Sequence, residues 1–187
     1  MTQPVSVSVD AAQTRAAFTL HHPKGNILTL EMIRGLRAAL TSVSGNAHLK
    51  LITITGAGED FSFGASIPEH APGMIDQVLP EMHALIYELL DAPAPTAALV
   101  RGRCFGGGFE LVLACDMIFA DRGARFALPE IALGVFPPVA SALLPYKAGS
   151  LPASYAILTG EETDAATWHS RGLVSMLAAA RPKPVVH

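Results

Sequence analysis

Val5 to Val9 and Arg15 to Leu20 alternate apolar and polar side chains, the period of a half-buried strand, and the polar break between them predicts a hairpin. The break at His22-Pro23-Lys24-Gly25-Asn26 changes the period. Over Leu30 to Val43, the residues Ile33, Leu36, Leu40 and Val43 recur at three- and four-residue spacing, which places them on one face of an amphipathic helix. Leu49 to Thr55 is a short β-branched run and predicts a strand ending at Gly56-Ala57-Gly58. A loop follows from Phe61 to Ser66. Helical spacing then returns from Met74 to Leu90 through Val78, Met82, Leu85, Ile86 and Leu89, until Pro93 and Pro95 stop it.

Thr96 to Val100 predicts a buried strand, and Gly106-Gly107-Gly108 opens an almost wholly apolar helix from Phe109 to Cys115. Strands are expected at Met117 to Ala120 and Ala124 to Ala127, with Pro129-Glu130 in a loop after the second. A helix near Ala140 to Ala148 is followed by Ala153 to Leu158, which ends at Gly160. Thr163 is expected to cap a last helix through Ser170, closed by Gly172. The repetition of strand, loop and helix argues for an α/β chain of stacked units. Residues 1–177 read as one domain, and Ala178 to His187, with two prolines and two basic residues, as a loose tail.

Composition narrows the function. A chain of 187 residues that is 50% apolar and 16% charged fills one core. With a net charge of -3 and scattered basic residues it offers no field for nucleic acid. Cys104 and Cys115 lack C-x-x-C spacing, so buried free thiols are expected rather than a disulfide or zinc site. The polar N-terminus and the lack of a long apolar run predict no signal sequence and no membrane span, and a reducing cytoplasm fits. His70, His83 and His169 have no paired ligand spacing, so no metal is expected. Ser62 and Ser66 lack the G-x-S-x-G elbow of a serine hydrolase. Asp116 is expected to bond neighbouring backbone amides.

The candidate chemistry lies in Cys104-Phe105-Gly106-Gly107-Gly108-Phe109-Glu110 and Leu128-Pro129-Glu130-Ile131. Each stretch carries one acid in apolar surroundings. Burial raises a carboxyl pKa, while a helix N-terminus lowers it by less, so a dry Glu110 would carry a proton near neutral pH. The same residue also reads as a surface acid complementing its helix dipole, and a loop Glu such as Glu130 also reads as a cap. Two carboxylates together can hold a water, one accepting its proton while the other delivers one, as addition of water across an activated double bond requires. Ala65 and Gly107, each beside a glycine after a strand, can aim two backbone N–H groups at one oxygen, and each such donor is worth about 3 kcal/mol of barrier. Tight turns and close helix packing explain the same glycines.

These residues resemble a known family. Gly106 to Leu111, Cys115-Asp116, Phe126-Ala127-Leu128-Pro129-Glu130-Ile131 and Leu133-Gly134 are similar to the signature of the crotonase superfamily, the enoyl-CoA hydratase/isomerase family. Phe61-Ser62-Phe63-Gly64-Ala65-Ser66-Ile67 resembles its other oxyanion loop, and Pro23 to Leu28, Leu158 to Gly160 and Arg171 to Val174 also match. The resemblance runs from about Val5 to Val174. It implies the stacked ββα spiral of the ClpP/crotonase type. It makes the N–H groups of Ala65 and Gly107 an oxyanion hole for an acyl-CoA thioester, and Glu110 and Glu130 the acids that place water and move its proton. Lys24, Asn26, Phe63, Gly64, Ser66, Ile67, Gly106 and Phe136 fall where substrate or coenzyme A contacts are implied, Lys24 beside the nucleotide phosphates. Coenzyme A enters as part of the substrate, with no permanently bound cofactor. A trimeric or hexameric homo-oligomer is implied.

Both acids are present, so the resemblance favours a hydro-lyase. An enoyl-CoA isomerase, which needs one acid, and a non-catalytic CoA-thioester-binding or assembly subunit remain as alternatives. Ser66 replaces the usual aspartate, and Val135-Phe136-Pro137-Pro138 replaces several glycines. With His70 after the Ala-Ser loop, these segments look most like the cyclohexa-1,5-diene-1-carbonyl-CoA hydratases of aromatic degradation. The chain is also short of the family's C-terminal helices, which predicts a more open acyl pocket.

Overall fold

The computed structural model describes residues 3–179. β1 (Val5–Val9) and β2 (Arg15–Leu20) form the antiparallel hairpin, with Val5 opposite Leu20. Its turn is held by Asp10, which accepts from the Thr14 N–H at 2.7 Å and the Thr14 hydroxyl at 2.9 Å. α1 (Leu30–Val43) begins at Thr29, whose hydroxyl accepts from the Met32 N–H, and it buries Met32, Ile33, Leu36, Ala39, Leu40 and Val43. β3 (Leu51–Gly56) and α2 (Ile75–Leu90) follow, and α2 packs on α1. Arg37 of α1 bridges Glu81 and Glu88 of α2 on the outer side.

The remaining elements are β4 (Thr96–Val100), β5 (Arg103–Phe105), α3 (Gly107–Leu113), β6 (Met117–Asp121), β7 (Arg125–Ala127), α4 (Pro138–Ala148), α5 (Ser150–Thr159), β8 (Thr163–Asp164), α6 (Ala165–Ser170) and β9 (Met176–Ala178). One sheet runs β1-β2-β3-β4-β6-β9 and is parallel except for the first pair. The other runs β5-β7-β8. The chain thus repeats a unit of one strand in the large sheet, one in the small sheet, then a helix: β4-β5-α3 and β6-β7-α4. In the preceding unit Ser62 takes the place of the small-sheet strand, pairing in parallel with Cys104. This is the stacked ββα architecture.

Three differences from the sequence reading have local causes. Thr163 does not cap α6, because it pairs with Phe126 in β8; the cap is Asp164, whose carboxylate accepts from the Thr167 N–H at 2.7 Å. Leu49 turns back to the Asn46 carbonyl, so β3 starts only at Leu51. Ala178 is not tail but the last residue of β9, paired with Asp121, while 180–187 lie outside the described residues. Among the described residues no helix is long and apolar enough to cross a membrane.

The core lies between the large sheet and the helices. Phe109 of α3 meets Phe126 of β7 at 5.1 Å and Trp168 of α6 at 5.7 Å between ring centroids, all three fully buried. This cluster fixes the rotation of α3, and with it the direction of the next side chain, Glu110.

Candidate active site

The register of the small sheet brings the predicted residues together. Ser62, Cys104 and Phe126 are consecutive parallel partners. Ala65 lies three residues beyond the first, Gly107 three beyond the second, and Glu130 four beyond the third. The three loops therefore leave the sheet side by side.

The glycine triplet makes their approach possible. A Cβ on Gly107 would lie 3.3 Å from the Ala65 nitrogen, and one on Gly108 would lie 2.7 Å from the Ser62 Cβ. At Gly106, φ is +49° and a Cβ would sit 2.7 Å from Glu130 Oε1. Close packing and site formation are thus the same event, which joins the two readings of the triplet. Gly107 is the first residue of α3, so its N–H has no intrahelical acceptor. In the facing loop, Leu28 pairs with the Gly64 carbonyl and the Ser66 N–H, and the Ala65 N–H donates to no backbone carbonyl among the described residues. Two adjacent free donors result.

Glu110 is buried at 6% exposure, in the first turn of α3 as expected. The surface alternative is thereby removed. Its partners come from a different helix: Oε1 accepts from the Val139 N–H at 2.8 Å and the Ala140 N–H at 3.0 Å, both in the first turn of α4. Burial pushes its pKa from 4.5 to about 7, against the Ala140 and Val139 bonds and with help from the charge of Glu130. Glu130 is half-buried in the 3-10 turn Pro129–Leu133. Burial raises its pKa too, opposed by its own backbone N–H and by His70. Glu130 Oε2 is buried without a hydrogen-bond partner among the described residues.

The expected contact residues divide. Phe63 is 38% exposed and stacks on Phe105, with the Arg103 guanidinium 5.3 Å from its ring and its other edge against Gly25. Gly64 has φ of +97°, and a Cβ there would strike the Phe105 carbonyl at 2.8 Å. Ser66 is buried and its carbonyl accepts from Glu69 N–H and from His70 Nδ1. Ile67 and Phe136 are exposed, at 66% and 65%. Lys24 is exposed on the loop after β2.

Asn26 is a different case. Its amide donates to the Ala57 and Asp60 carbonyls and accepts from the His22 N–H, so the side chain is committed to the fold. Its carbonyl accepts from the Ser62 hydroxyl, which in turn accepts from the Gly64 N–H. Asn26 therefore positions the oxyanion loop rather than offering its amide to a ligand. A groove of about 490 Å³ lies beside it, lined by His21, His22, Gly25, Ala57, Glu59 and Asp60 among others, and Glu110 and Glu130 are not in its walls.

Cys104 and Cys115 are buried free thiols; burial raises Cys104 well above the ordinary range and Cys115 to about 12, which leaves neither nucleophilic near neutral pH. Asp116 accepts from the Thr96 N–H and hydroxyl, joining β4 to the end of α3. Among the described residues no group of three or more His, Cys, Asp and Glu is placed to hold a metal.

The sequence profile of the enoyl-CoA hydratase/isomerase family matches residues 10–183. The chain belongs to this family. Its members with measurable likeness include the cyclohexa-1,5-dienecarbonyl-CoA hydratase of Thauera aromatica, 38% identical over 175 residues that cover 94% of this chain and 68% of the relative. Among solved structures, Pseudomonas aeruginosa DspI superposes with a TM-score of 0.90 at 30% identity, covering 95% of this chain and 69% of that one. An enoyl-CoA hydratase from Thermoplasma volcanium gives 0.89 at 26% identity, covering 96% and 73%. The chain thus spans about two thirds to three quarters of these family members. The crotonase fold and the hydro-lyase class named among its relatives agree with the ββα spiral and the paired acids.

Proposed function

We propose that this crotonase-family chain adds water to the activated double bond of an enoyl-CoA thioester, or removes it in reverse. The observation that carries this reading is the convergence of two raised carboxyls, Glu110 and Glu130, on the same glycine turn that pairs the Ala65 and Gly107 donors.

The thioester carbonyl oxygen would accept from Ala65 and Gly107, which lowers the energy of the enolate and makes the β-carbon electrophilic. The ionised carboxylate takes a proton from water as its oxygen bonds to the β-carbon. The protonated carboxyl gives its proton to the α-carbon as the carbonyl re-forms. Water is consumed, and one proton passing between the acids resets the pair. An isomerase would need one acid; the second is what favours hydration.

The acyl group we infer is a cyclic dienoyl, such as a cyclohexadienecarbonyl thioester. Support comes from the 38% identity to the Thauera enzyme and from the Val135-Phe136-Pro137-Pro138 segment, whose Val135 and Phe136 are exposed and whose Val135 N–H donates to the Glu130 carbonyl. We also carry forward a homo-oligomer, since Ile131, Leu133, Phe136, Leu151 and Leu158 expose apolar surface on neighbouring elements, and a reducing cytoplasm, which suits two buried free thiols. A panel of straight-chain and cyclic enoyl- and dienoyl-CoA substrates, followed by mass of the product, tests the reaction and the acyl group. Gain of 18 Da on a cyclic dienoyl-CoA is expected for hydration, roughly one water. Conversion with no mass change would make the chain an isomerase, and no conversion of any thioester would overturn the reading. Native mass spectrometry reads the assembly.

A further inference from the structure

The direction of the Ala65 N–H is set by bonds that its neighbours make. The Gly64 carbonyl and the Ala65 N–H belong to one planar trans peptide unit, so they point in opposite directions. The Leu28 N–H donates to that carbonyl at 2.8 Å, and the Ser66 N–H donates to the Leu28 carbonyl at 3.1 Å. Both peptide planes that flank Ala65 are thus tied to the segment entering α1, as a parallel bridge between Leu28 and Ala65. The Ala65 N–H is left facing away from Leu28, on the side where Gly107 lies.

The backbone bonds of this bridge stop at Ser66. A parallel ladder would continue by giving the Ser66 carbonyl to the Leu30 N–H. The chain instead turns into the 3-10 helix Ile67–His70, and the Ser66 carbonyl accepts from the Glu69 N–H at 3.1 Å and from His70 Nδ1 at 2.8 Å. Leu30 is the first residue of α1, so its N–H has no acceptor within the helix. Glu69 Oε2 takes that N–H at 2.7 Å. The carboxylate stands in for the missing rung, at a helix end that favours negative charge. Thr29 does a separable job, because its hydroxyl accepts from the Met32 N–H inside α1 and ties nothing to the Ala65 loop.

We propose that Glu69 is a positioning residue: its bond to the Leu30 N–H clamps the turn after Ala65 against the start of α1 and so keeps the Ala65 N–H aimed at the thioester oxygen. The proposal rests on the reading of Ala65 and Gly107 as the oxyanion donors. Glu69 acts through the backbone from Ser66 to its own Cα, four residues that the 3-10 turn makes stiff.

Three variants separate aiming from helix capping. Glu69→Ala removes the acceptor, Glu69→Gln keeps one in its amide oxygen, and Thr29→Ala removes the other α1 cap without touching the clamp. Benzoyl-CoA labelled with carbon-13 at the thioester carbon is the probe, since its aromatic ring resists hydration and its carbonyl signal moves downfield when donors polarise the oxygen. The parent should move that signal downfield. Glu69→Ala should lose about half of the shift or more, while Glu69→Gln and Thr29→Ala keep it. On a turned-over thioester kcat should fall roughly tenfold in Glu69→Ala, part of the loss that removing a donor outright would cause, with KM little changed and Glu69→Gln close to the parent. A full parental shift in Glu69→Ala overturns the proposal, as do equal losses in Glu69→Ala and Thr29→Ala, which would make Glu69 a cap alone. A parent that leaves the signal at its free position overturns the oxyanion reading itself, and the proposal with it.

Discussion

The Ala65 nitrogen lies 3.3 Å from the point where a side chain on Gly107 would begin. The two residues come from different ββα units, and the parallel pairing of Ser62 with Cys104 is what sets them opposite each other. Gly107→Ala should therefore push the Ala65 loop back by a few tenths of an ångström while leaving both acids in place. The expected outcome is a fall in kcat of about a hundredfold, of the size seen when one oxyanion donor is lost, with KM changed far less. Overpacking should cost about 1–3 kcal/mol of stability. Steady-state kinetics beside thermal melts check this. A kcat within a factor of two of the parent would show that the Ala65 and Gly107 donors do not act on the reacting oxygen.

Asn26 supports the same loop from beneath. Asn26→Ala removes two bonds donated to the Ala57 and Asp60 carbonyls and one accepted from the His22 N–H, at a position with φ of +53° that suits Asn better than Ala. A loss of about 2–4 kcal/mol is expected. For a chain of this length it should appear as a fall in Tm of about 5–15 °C. A Tm within 2 °C of the parent, on the order of half a kcal/mol, would remove Asn26 from its anchoring role.

The acids should behave as one unit. Glu110→Gln and Glu130→Gln each keep the shape of the side chain and remove a proton site, and each should lower kcat by about 10²–10⁴. Because either acid alone cannot both accept and deliver, the double variant should lose about as much as the worse single variant rather than the product of the two losses. Multiplying losses, measured in a double-mutant cycle of kcat, would mean that the carboxyls serve separate steps.

Much of this arrangement is legible in the sequence, and the unread part has a common cause. α1 is found at Leu30–Val43, the predicted bounds, because its apolar period and the Thr29 cap are local signals. β5, β8 and β9 are two or three residues long and exist only through pairing with distant segments, so no local period announces them. That same pairing creates the site. Sequence alone left Glu110 open between surface and interior, since the α4 N–H groups that hold it lie about thirty residues away. In the sequence His70 has no metal-ligand spacing and counts only as part of the loop that resembles the cyclohexa-1,5-diene-1-carbonyl-CoA hydratases. The resemblance places Asn26 among the contact residues, whereas its side-chain bonds go to His22, Ala57 and Asp60 of the chain itself.

The buried acid also predicts how stability depends on pH. The carboxyl of Glu110 titrates near 4.5 when unfolded and at about 7 in the folded chain. Between these values the folded state binds more protons than the unfolded state, so stability falls as pH rises from 4.5 to about 7 and is then flat as far as this group is concerned. The loss is on the order of 1–3 kcal/mol. Glu110→Gln still accepts from the Val139 and Ala140 N–H groups through its amide oxygen but carries no charge to bury. Its stability relative to the parent should therefore increase as pH is raised from about 5 to 7 and hold steady to pH 8. Urea unfolding midpoints at half-unit pH steps measure this directly. A difference between variant and parent that stays constant from pH 5 to 8 would mean that Glu110 titrates as an ordinary carboxyl. It would then be ionised at neutral pH and could serve only as the proton acceptor of the pair.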